Sequence, residues 1–239
     1  MRFLGRYLLL LLLGALALQL YFMARIALMA VWDPGSTTFQ RSEMWRVAKT
    51  QGQLPWRQQW VDAGQISPQL SRAVIASEDG SFADHGGLDW EAIESAWERN
   101  QKAEARAARR AGTGKPAKVI GGSTITQQLA KNLFLSGERN ILRKAQEALL
   151  TLELELFLSK PRILEIYLNH VEWGEGVFGA EAAAQHYFRI PAARLSSSQA
   201  ARLAVMLPAP KRFEKRPGSP YLASRSATIQ ARMAGVELP

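Results

Sequence analysis

The sequence predicts a mainly α-helical domain preceded by one N-terminal transmembrane helix. Three observations predict this fold class. Residues 7–24 form an apolar run in which Gln19 carries the only side-chain amide. Helix-start signals stand before amphipathic stretches, as at Ser67-Pro68. Alternation of apolar and polar residues, which is typical of half-buried strands, is scarce along the rest of the chain.

The apolar run is long enough to cross a bilayer. As a helix, residues 7–24 span about 27 Å, close to the hydrocarbon thickness of a membrane. Arg2 and Arg6 precede the run and a long polar chain follows it, which predicts a cytoplasmic N-terminus. We therefore assign residues 1–32 to a cytoplasmic tip and a transmembrane anchor.

A cleaved signal peptide is the alternative to an anchor. Ala15-Leu16-Ala17 resembles a cleavage site, which would give a mature start at Leu18. The apolar character continues well past that point, however. Aromatic side chains at its outer end fit an interfacial belt better than a mature start: Tyr21, Phe22 and Trp32. The sequence favours the uncleaved anchor.

The first elements after the anchor can be placed from turn and capping signals. Residues 33–65 are assigned to a linker and membrane-proximal segment, and residues 66–239 to the main domain. Ser67 caps a helix in which Leu70, Val74 and Glu78 recur every four residues. A second helix begins near Asp89 and runs into a basic insertion at about 101–117. We interpret this insertion as the end of the helix followed by a solvated loop; a contact with anionic lipid is the alternative.

Further helices are predicted along the second half of the chain. A helix rich in leucine and glutamate covers 140–158, and Lys160-Pro161 separates it from a helix at 162–170. The glycine-rich sequence WGEGVFG is expected to form a loop before an alanine-rich helix that runs through Phe188. The last predicted helices are 197–207 and 220–235.

Composition excludes several classes of chemistry. The chain has no cysteine, which excludes thiol nucleophiles, disulfides and cysteine-based metal sites. Its three histidines form no close ligand cluster, which argues against a zinc enzyme. The net charge is +9. For a domain outside a membrane, anionic lipid headgroups or a phosphorylated lipid are better partners than nucleic acid.

The sequence GGSTITQQLAKN, residues 121–132, predicts an anion site. Its glycines allow a tight turn, and Ser123 or Thr124 can cap the helix that follows. A helix over 124–135 carries a row of polar side chains on one face: Thr124, Gln127, Gln128 and Lys131. Donors beside the free N–H groups of a helix start suit a phosphate. A well-capped helix with a polar outer face is the alternative.

Two glutamates and a histidine are candidate chemical groups. Glu78 continues an apolar stripe, so partial desolvation would raise its pKa and make it a stronger base; an exposed helix-end glutamate is the alternative. Glu147 follows Arg143 and Lys144 by four and three residues, a spacing that also fits an ordinary surface ion pair. His85 is interpreted as structural, bonded to backbone carbonyls.

Five segments then carry a resemblance in order along the chain: SEDGSFADHGGLD, GGSTITQQLAKN, RKAQEA, RILEIYLN and GVFGAEAAAQHYF. The chain resembles the family 51 peptidoglycan glycosyltransferases over about residues 66–225. The first motif is matched by Glu78, Asp79, Phe82 and His85, and Asn132 ends the second. No serine stands three residues before a lysine, so a transpeptidase site is absent from the sequence, and the chain resembles the monofunctional members.

The resemblance implies a lysozyme-like fold that polymerises lipid II into β-1,4 glycan strands with inversion, in cell-wall biosynthesis. Glu78 matches the general base, and Glu147 matches a second essential glutamate at the pyrophosphate or its cation. The resemblance assigns pyrophosphate contacts to Ser123, Gln127, Gln128, Lys131, Arg139 and Arg143, and more weakly to Arg225. It also implies a divalent cation, Mg²⁺, at the pyrophosphate, with no side-chain ligand assigned and no organic cofactor.

Partners and place follow from the same resemblance. The implied partners are lipid II, the growing lipid-linked strand, membrane lipids and other cell-wall synthesis proteins. The implied location is the inner membrane, with the catalytic domain on the periplasmic face. The chain departs from the family in its long basic insertion and in Gln146, where some members carry lysine. Two alternatives remain: a lysozyme-like murein hydrolase or lytic transglycosylase, and a non-catalytic cell-wall scaffold.

Overall fold

A computed structural model describes residues 2–109, 122–135, 137 and 140–239. The described residues are mainly α-helical, as predicted. The helices are α1 (Arg2–Leu28), α2 (Thr38–Gln51), α3 (Pro68–Glu78), α4 (Trp90–Arg109), α5 (Ile125–Phe134), α6 (Ile141–Phe157), α7 (Lys160–His170), α8 (Ala180–Phe188), α9 (Ser197–Met206), α10 (Pro210–Glu214) and α11 (Pro220–Arg232). Three 3₁₀ turns lie at Ala63–Gln65, Ala192–Arg194 and Met233–Gly235, and the strands are β1 (Arg57–Gln58), β2 (Glu172–Gly174) and β3 (Val177–Phe178).

Capping residues set several helix starts where the sequence predicts them. The Ser67 side chain accepts a hydrogen bond from the Gln69 N–H before Pro68 begins α3. Asn140 caps α6 in the same way. Both helices therefore begin at a side chain that satisfies an otherwise unpaired backbone donor. The short helix α10 was not predicted from the sequence.

The core forms where α3, α9 and α11 pack together and where α5 packs on α6. Its largest fully buried side chains include Trp173, Tyr167 and Phe82. Leu70 and Val74 on α3 are completely buried, which confirms the stripe predicted from their spacing. Because Glu78 ends the same helix, the packing of α3 fixes the direction in which this carboxylate leaves the core.

Residues 33–65 contain structured elements that were not placed from the sequence. Helix α2 packs on α5, and its Met44 and Val47 are buried against Phe178. Strand β1 pairs in parallel with β3, which pairs in antiparallel with β2. The sequence WGEGVFG, predicted to be a loop, therefore forms a small hairpin. Helix α2 forms one wall of the cavity described below.

One N-terminal helix is apolar and long enough to fit a single-pass membrane anchor. The candidate span runs over Phe3–Leu28 with a mean hydropathy of 2.1. Its C-terminal end and the residue that follows belong to the domain core, because Ile26 and Met29 are buried there. Phe22, which is predicted to lie in an interfacial belt, packs edge-on against Phe134 with ring centroids 5.3 Å apart. The anchor and the domain thus share a packed interface.

Helix α6 runs against the anchor through polar side chains. Gln19 of α1 donates a hydrogen bond from its amide nitrogen to Glu153. Gln146 donates to the Gln19 amide oxygen at 3.1 Å. Position 146 therefore faces the anchor, and its glutamine joins two helices instead of contributing to an anion site.

A neighbouring face of α6 exposes a stripe of apolar side chains. Its members recur at helical spacing and are 43–83% exposed: Leu142, Leu149, Leu152 and Leu156. An exposed apolar stripe of this kind marks a surface that contacts something other than water. Its position beside the anchor helix suits lipid.

Gly176 provides a sharp test of the small sheet. Its φ is +73°, and a Cβ atom there would lie 1.7 Å from the Pro55 carbonyl oxygen. We expect Gly176→Ala to lower the free energy of unfolding by about 3 kcal/mol, since the clash is with backbone in a left-handed conformation. Thermal unfolding in detergent measures the effect. Gly218→Ala, with open space around its Cβ, is the matched control; equal melting temperatures would contradict this packing.

Candidate active site

Glu78 lies at the C-terminal end of α3, and each of its two carboxylate oxygens accepts one hydrogen bond. The Ser77 hydroxyl donates to Oε1 at 3.2 Å, and the Gln128 amide donates to Oε2 at 3.1 Å. Burial raises the pKa of Glu78 above its ordinary value, while these two hydrogen bonds act in the opposite direction. The desolvation predicted from the spacing of α3 is therefore confirmed, and a raised pKa is one of the properties that a general base requires.

Asp79 joins the first motif to the start of α5. Its Oδ2 accepts the Ile125 N–H at 2.9 Å, and its Oδ1 is 2.9 Å from His85 Nε2. His85 Nδ1 accepts the Gly87 N–H, so the proton of the neutral ring lies on Nε2 and is donated to Asp79. The structural interpretation of His85 is supported, but its backbone partner is an N–H group and not the expected carbonyl.

A carboxylate of the protein itself takes the place of the phosphate that was expected at the start of α5. The Asp79 carboxylate occupies the Ile125 N–H, and the Thr124 hydroxyl accepts the Gln127 N–H as the helix cap. Thr124 and Gln127 form the predicted capping box, and the Thr124 hydroxyl also donates to the Gly87 carbonyl. The prediction of free N–H groups for a phosphate is therefore wrong, because these donors are buried and already bonded.

An open cavity lies beside this helix instead. It has a volume of about 360 Å³, between α2, α5 and the first turns of α6. Gln128 lines it and also donates a hydrogen bond to Glu78, so the Glu78 carboxylate lies at the edge of the cavity. The polar and charged lining residues are Ser42, Glu43, Ser123, Gln127, Gln128, Lys131, Asn132, Arg143, Lys144 and Glu147.

Three cations and two carboxylates, Glu43 and the buried Glu147, carry the charge of the cavity. Glu147 is 3% exposed, and it accepts a hydrogen bond from Arg143 at 2.8 Å and another from Lys144. The spacing seen in the sequence thus joins a buried carboxylate to a half-buried arginine and to a lysine whose side chain is half exposed, which is more than an ordinary surface ion pair. Lys131 is an exposed residue on the facing helix. Together these cations can hold a polyanion such as pyrophosphate.

The remaining predicted site residues divide between scaffold and site. Phe82 is completely buried, with the Lys160 ammonium 4.5 Å from its ring centroid. Arg225 lies near Glu78, where its charge lowers that pKa, and is not among the residues that line the cavity. Arg139 lies outside the described residues, as do residues 110–117 of the basic insertion.

The described carboxylates of the cavity do not fit a divalent cation as they stand. Glu147 is bonded to Arg143 and Lys144, and Glu43 is bonded to Lys211 and Arg46. A hard cation needs oxygen ligands that no ammonium or guanidinium already occupies. The expectation of Mg²⁺ stays a prediction in which its ligands come from the substrate, and no step below depends on it.

Three residues of the site were missed from the sequence. Lys144 stands beside the predicted Arg143 in the same motif, and its distance of three residues from Glu147 was the available signal. Glu43 comes from α2, in a segment that was not placed. Tyr167 donates a hydrogen bond from its hydroxyl to Gln128 Oε1 at 3.1 Å from a completely different helix. No local signal joins Tyr167 to Gln128.

A desolvated carboxylate beside a cation-lined cavity is typical of group-transfer enzymes that act on phosphorylated substrates. The comparisons agree with this class. The profile of the family described as Transglycosylase matches residues 46–234. A protein from Burkholderia thailandensis named biosynthetic peptidoglycan transglycosylase is 55% identical, covering 94% of this chain and 83% of its own length. One of the same name from Burkholderia pseudomallei is 54% identical with the same coverage.

The chain belongs to the transglycosylase family. This confirms the family predicted from the five motifs, and the lysozyme-like, mainly helical fold with one N-terminal apolar helix. It also confirms that the protein is a glycosyl-transferring enzyme.

Proposed function

We propose that the protein polymerises lipid II into β-1,4-linked glycan strands and releases undecaprenyl pyrophosphate. The observation that carries the proposal is the position of Glu78 at the edge of the cation-lined cavity. The Glu78 carboxylate takes the proton of the acceptor sugar's 4-hydroxyl. The oxygen attacks the anomeric carbon of the donor, the bond to pyrophosphate breaks, and the α-linkage becomes β.

The cavity serves the leaving group. As the glycosidic bond breaks, its electron pair moves to the pyrophosphate, which gains negative charge. Cations already in place stabilise this charge in the transition state more than in the ground state, and so accelerate departure. Lys131, Arg143 and Lys144 have this role. Glu147 holds the last two in position, while Ser123, Gln127 and Asn132 offer neutral hydrogen-bonding groups at the cavity wall.

A lipid-linked substrate requires a site at the membrane. The apolar anchor α1 and the exposed leucine stripe of α6 lie side by side, which supports a domain seated against the outer leaflet. The arginines before the anchor support a cytoplasmic N-terminus and a catalytic domain on the outer, periplasmic face of the inner membrane. Lipid II and the growing lipid-linked strand are then partners within the same leaflet.

Incubation of the detergent-solubilised full chain with labelled lipid II and Mg²⁺ tests the proposal. We expect polymer that lysozyme digests, with release of undecaprenyl pyrophosphate. Cleavage of preformed glycan without polymer would favour a murein hydrolase or lytic transglycosylase, which has no pyrophosphate to hold. Binding of lipid II with no turnover under any condition would favour a scaffold. Either result would overturn the proposal.

Lys131 provides a test of the leaving-group cavity. We expect Lys131→Ala to weaken undecaprenyl pyrophosphate binding about tenfold, since one charge-assisted contact to a phosphate oxygen is lost. Competition by undecaprenyl pyrophosphate in the polymerisation assay measures the affinity. Lys215→Ala removes an exposed lysine outside the cavity lining and should leave it unchanged. Equal affinities for the two variants would place the pyrophosphate elsewhere.

A further inference from the structure

A chain of hydrogen bonds runs from α7 through α5 to the base. The Tyr167 hydroxyl donates to Gln128 Oε1 at 3.1 Å, and Gln128 Nε2 donates to Glu78 Oε2 at 3.1 Å. Tyr167 is 1% exposed, so its hydroxyl meets Gln128 inside the protein and not in the cavity. The two groups come from sequence positions 39 residues apart.

The direction of this chain is set by the charge of Glu78. An ionised carboxylate can only accept hydrogen bonds, so Gln128 must turn its NH₂ group toward Glu78. The amide oxygen then points toward Tyr167, whose hydroxyl must donate. When Glu78 takes up a proton, its new O–H can donate to Gln128 Oε1, and the NH₂ group can donate to the Tyr167 oxygen. The same three side chains thus fit both protonation states, in opposite orientations.

We propose that Tyr167 is a positioning residue that holds the Gln128 amide with its NH₂ group toward the base. The inference rests on the proposed function, because it assigns Tyr167 a part in keeping Glu78 ionised for proton transfer. Without the tyrosine hydroxyl, Gln128 Oε1 loses its partner, and the amide can rotate to place its oxygen beside the carboxylate. That orientation removes a donor from ionised Glu78 and adds a repulsive contact.

Other groups around Glu78 do not replace this donor. Asp79, the next residue, raises the pKa of Glu78 by its negative charge. Arg225 of α11 lowers it, and the Ser77 hydroxyl donates only to Oε1. Burial is the largest influence and favours the protonated form. The Gln128 hydrogen bond is therefore the largest opposing influence, and its loss moves the pKa of Glu78 further upward.

Tyr167→Phe tests the proposal through the pH profile of kcat/KM for lipid II polymerisation. We expect the acidic limb to move upward by about one pH unit, with turnover recovering toward the wild-type value at high pH. Gln128→Met should shift the limb in the same direction. The double variant should shift no further than Gln128→Met alone, because both changes remove one interaction.

Tyr187→Phe is the matched control, since its hydroxyl donates to the Trp173 carbonyl at 2.7 Å, away from Glu78. Its acidic limb should stay at the wild-type position. A Tyr167→Phe enzyme that loses the same factor at every pH, or none, would overturn the inference. A wild-type protein that forms no polymer would instead overturn the proposed function. The melting temperature of each variant in detergent separates loss of fold from both outcomes.

Discussion

Glu78→Gln is expected to abolish polymerisation of lipid II while the protein still binds it. An amide of the same shape cannot accept the proton of the acceptor hydroxyl, and loss of a general base lowers turnover by roughly 10²–10⁴-fold. The substitution also removes a partly buried carboxylate whose pKa is already raised, so the fold should tolerate it. Release of undecaprenyl pyrophosphate measures turnover, and retention of labelled lipid II measures binding.

The control for Glu78→Gln is Glu98→Gln. Glu98 is an exposed residue of α4 paired with Lys102, and its variant should polymerise at the wild-type rate. If Glu78→Gln formed polymer at a comparable rate, another group would have to be the base. If it lost lipid II binding together with turnover, the carboxylate would be a binding group instead.

Glu147→Gln is expected to lower kcat about a hundredfold without weakening undecaprenyl pyrophosphate binding. The buried carboxylate accepts one hydrogen bond on each oxygen, from Arg143 and from Lys144. A glutamine puts an NH₂ group, which only donates, where one of these two accepting oxygens lies, so one of the two cations faces a donor and loses its hydrogen bond. The other cation loses its fixed position, while the cavity as a whole becomes more positive. Losing the position of one cation raises the free energy of the transition state, which lowers kcat. The attraction of the cavity for bound pyrophosphate, which sets its affinity, is retained.

Glu155→Gln is the matched control on the same helix. Glu155 is also paired with a cation, Lys160, and accepts a hydrogen bond from Thr126, but it does not line the cavity. Some loss of stability is expected from breaking its pair, with kcat retained below the melting temperature. A hundredfold loss of pyrophosphate affinity in Glu147→Gln would show that the glutamate contacts the substrate through a bound cation.

Local sequence patterns were sufficient to predict a feature when all of its residues lie on one helix. The spacing of Leu70, Val74 and Glu78 predicted both the stripe and the desolvated carboxylate, because a helix fixes which side chains share a face. The capping box at Thr124 was readable for the same reason. The order of the five motifs then identified the family, although no single spacing identified the reaction.

Contacts between distant segments could not be predicted in the same way. The free N–H groups expected at the start of α5 depended on no other group reaching them, and Asp79, 46 residues earlier, does. Glu43 and Tyr167 enter the site only through the packing of α2 and α7. Gln146 was noted only as a departure from the lysine of some family members, because the sequence does not show that its side chain faces α1.

The contact between Gln19 and Glu153 has a consequence for the order of events during synthesis. The two residues lie 134 positions apart. At a bacterial elongation rate of about 5–20 residues per second, roughly 7–27 s separate their appearance from the ribosome. If α1 enters the bilayer as it is made, the Gln19 amide is in place before Glu153 has been synthesised. In that case α6 packs against a helix that is already inserted, so insertion of α1 precedes the formation of this contact.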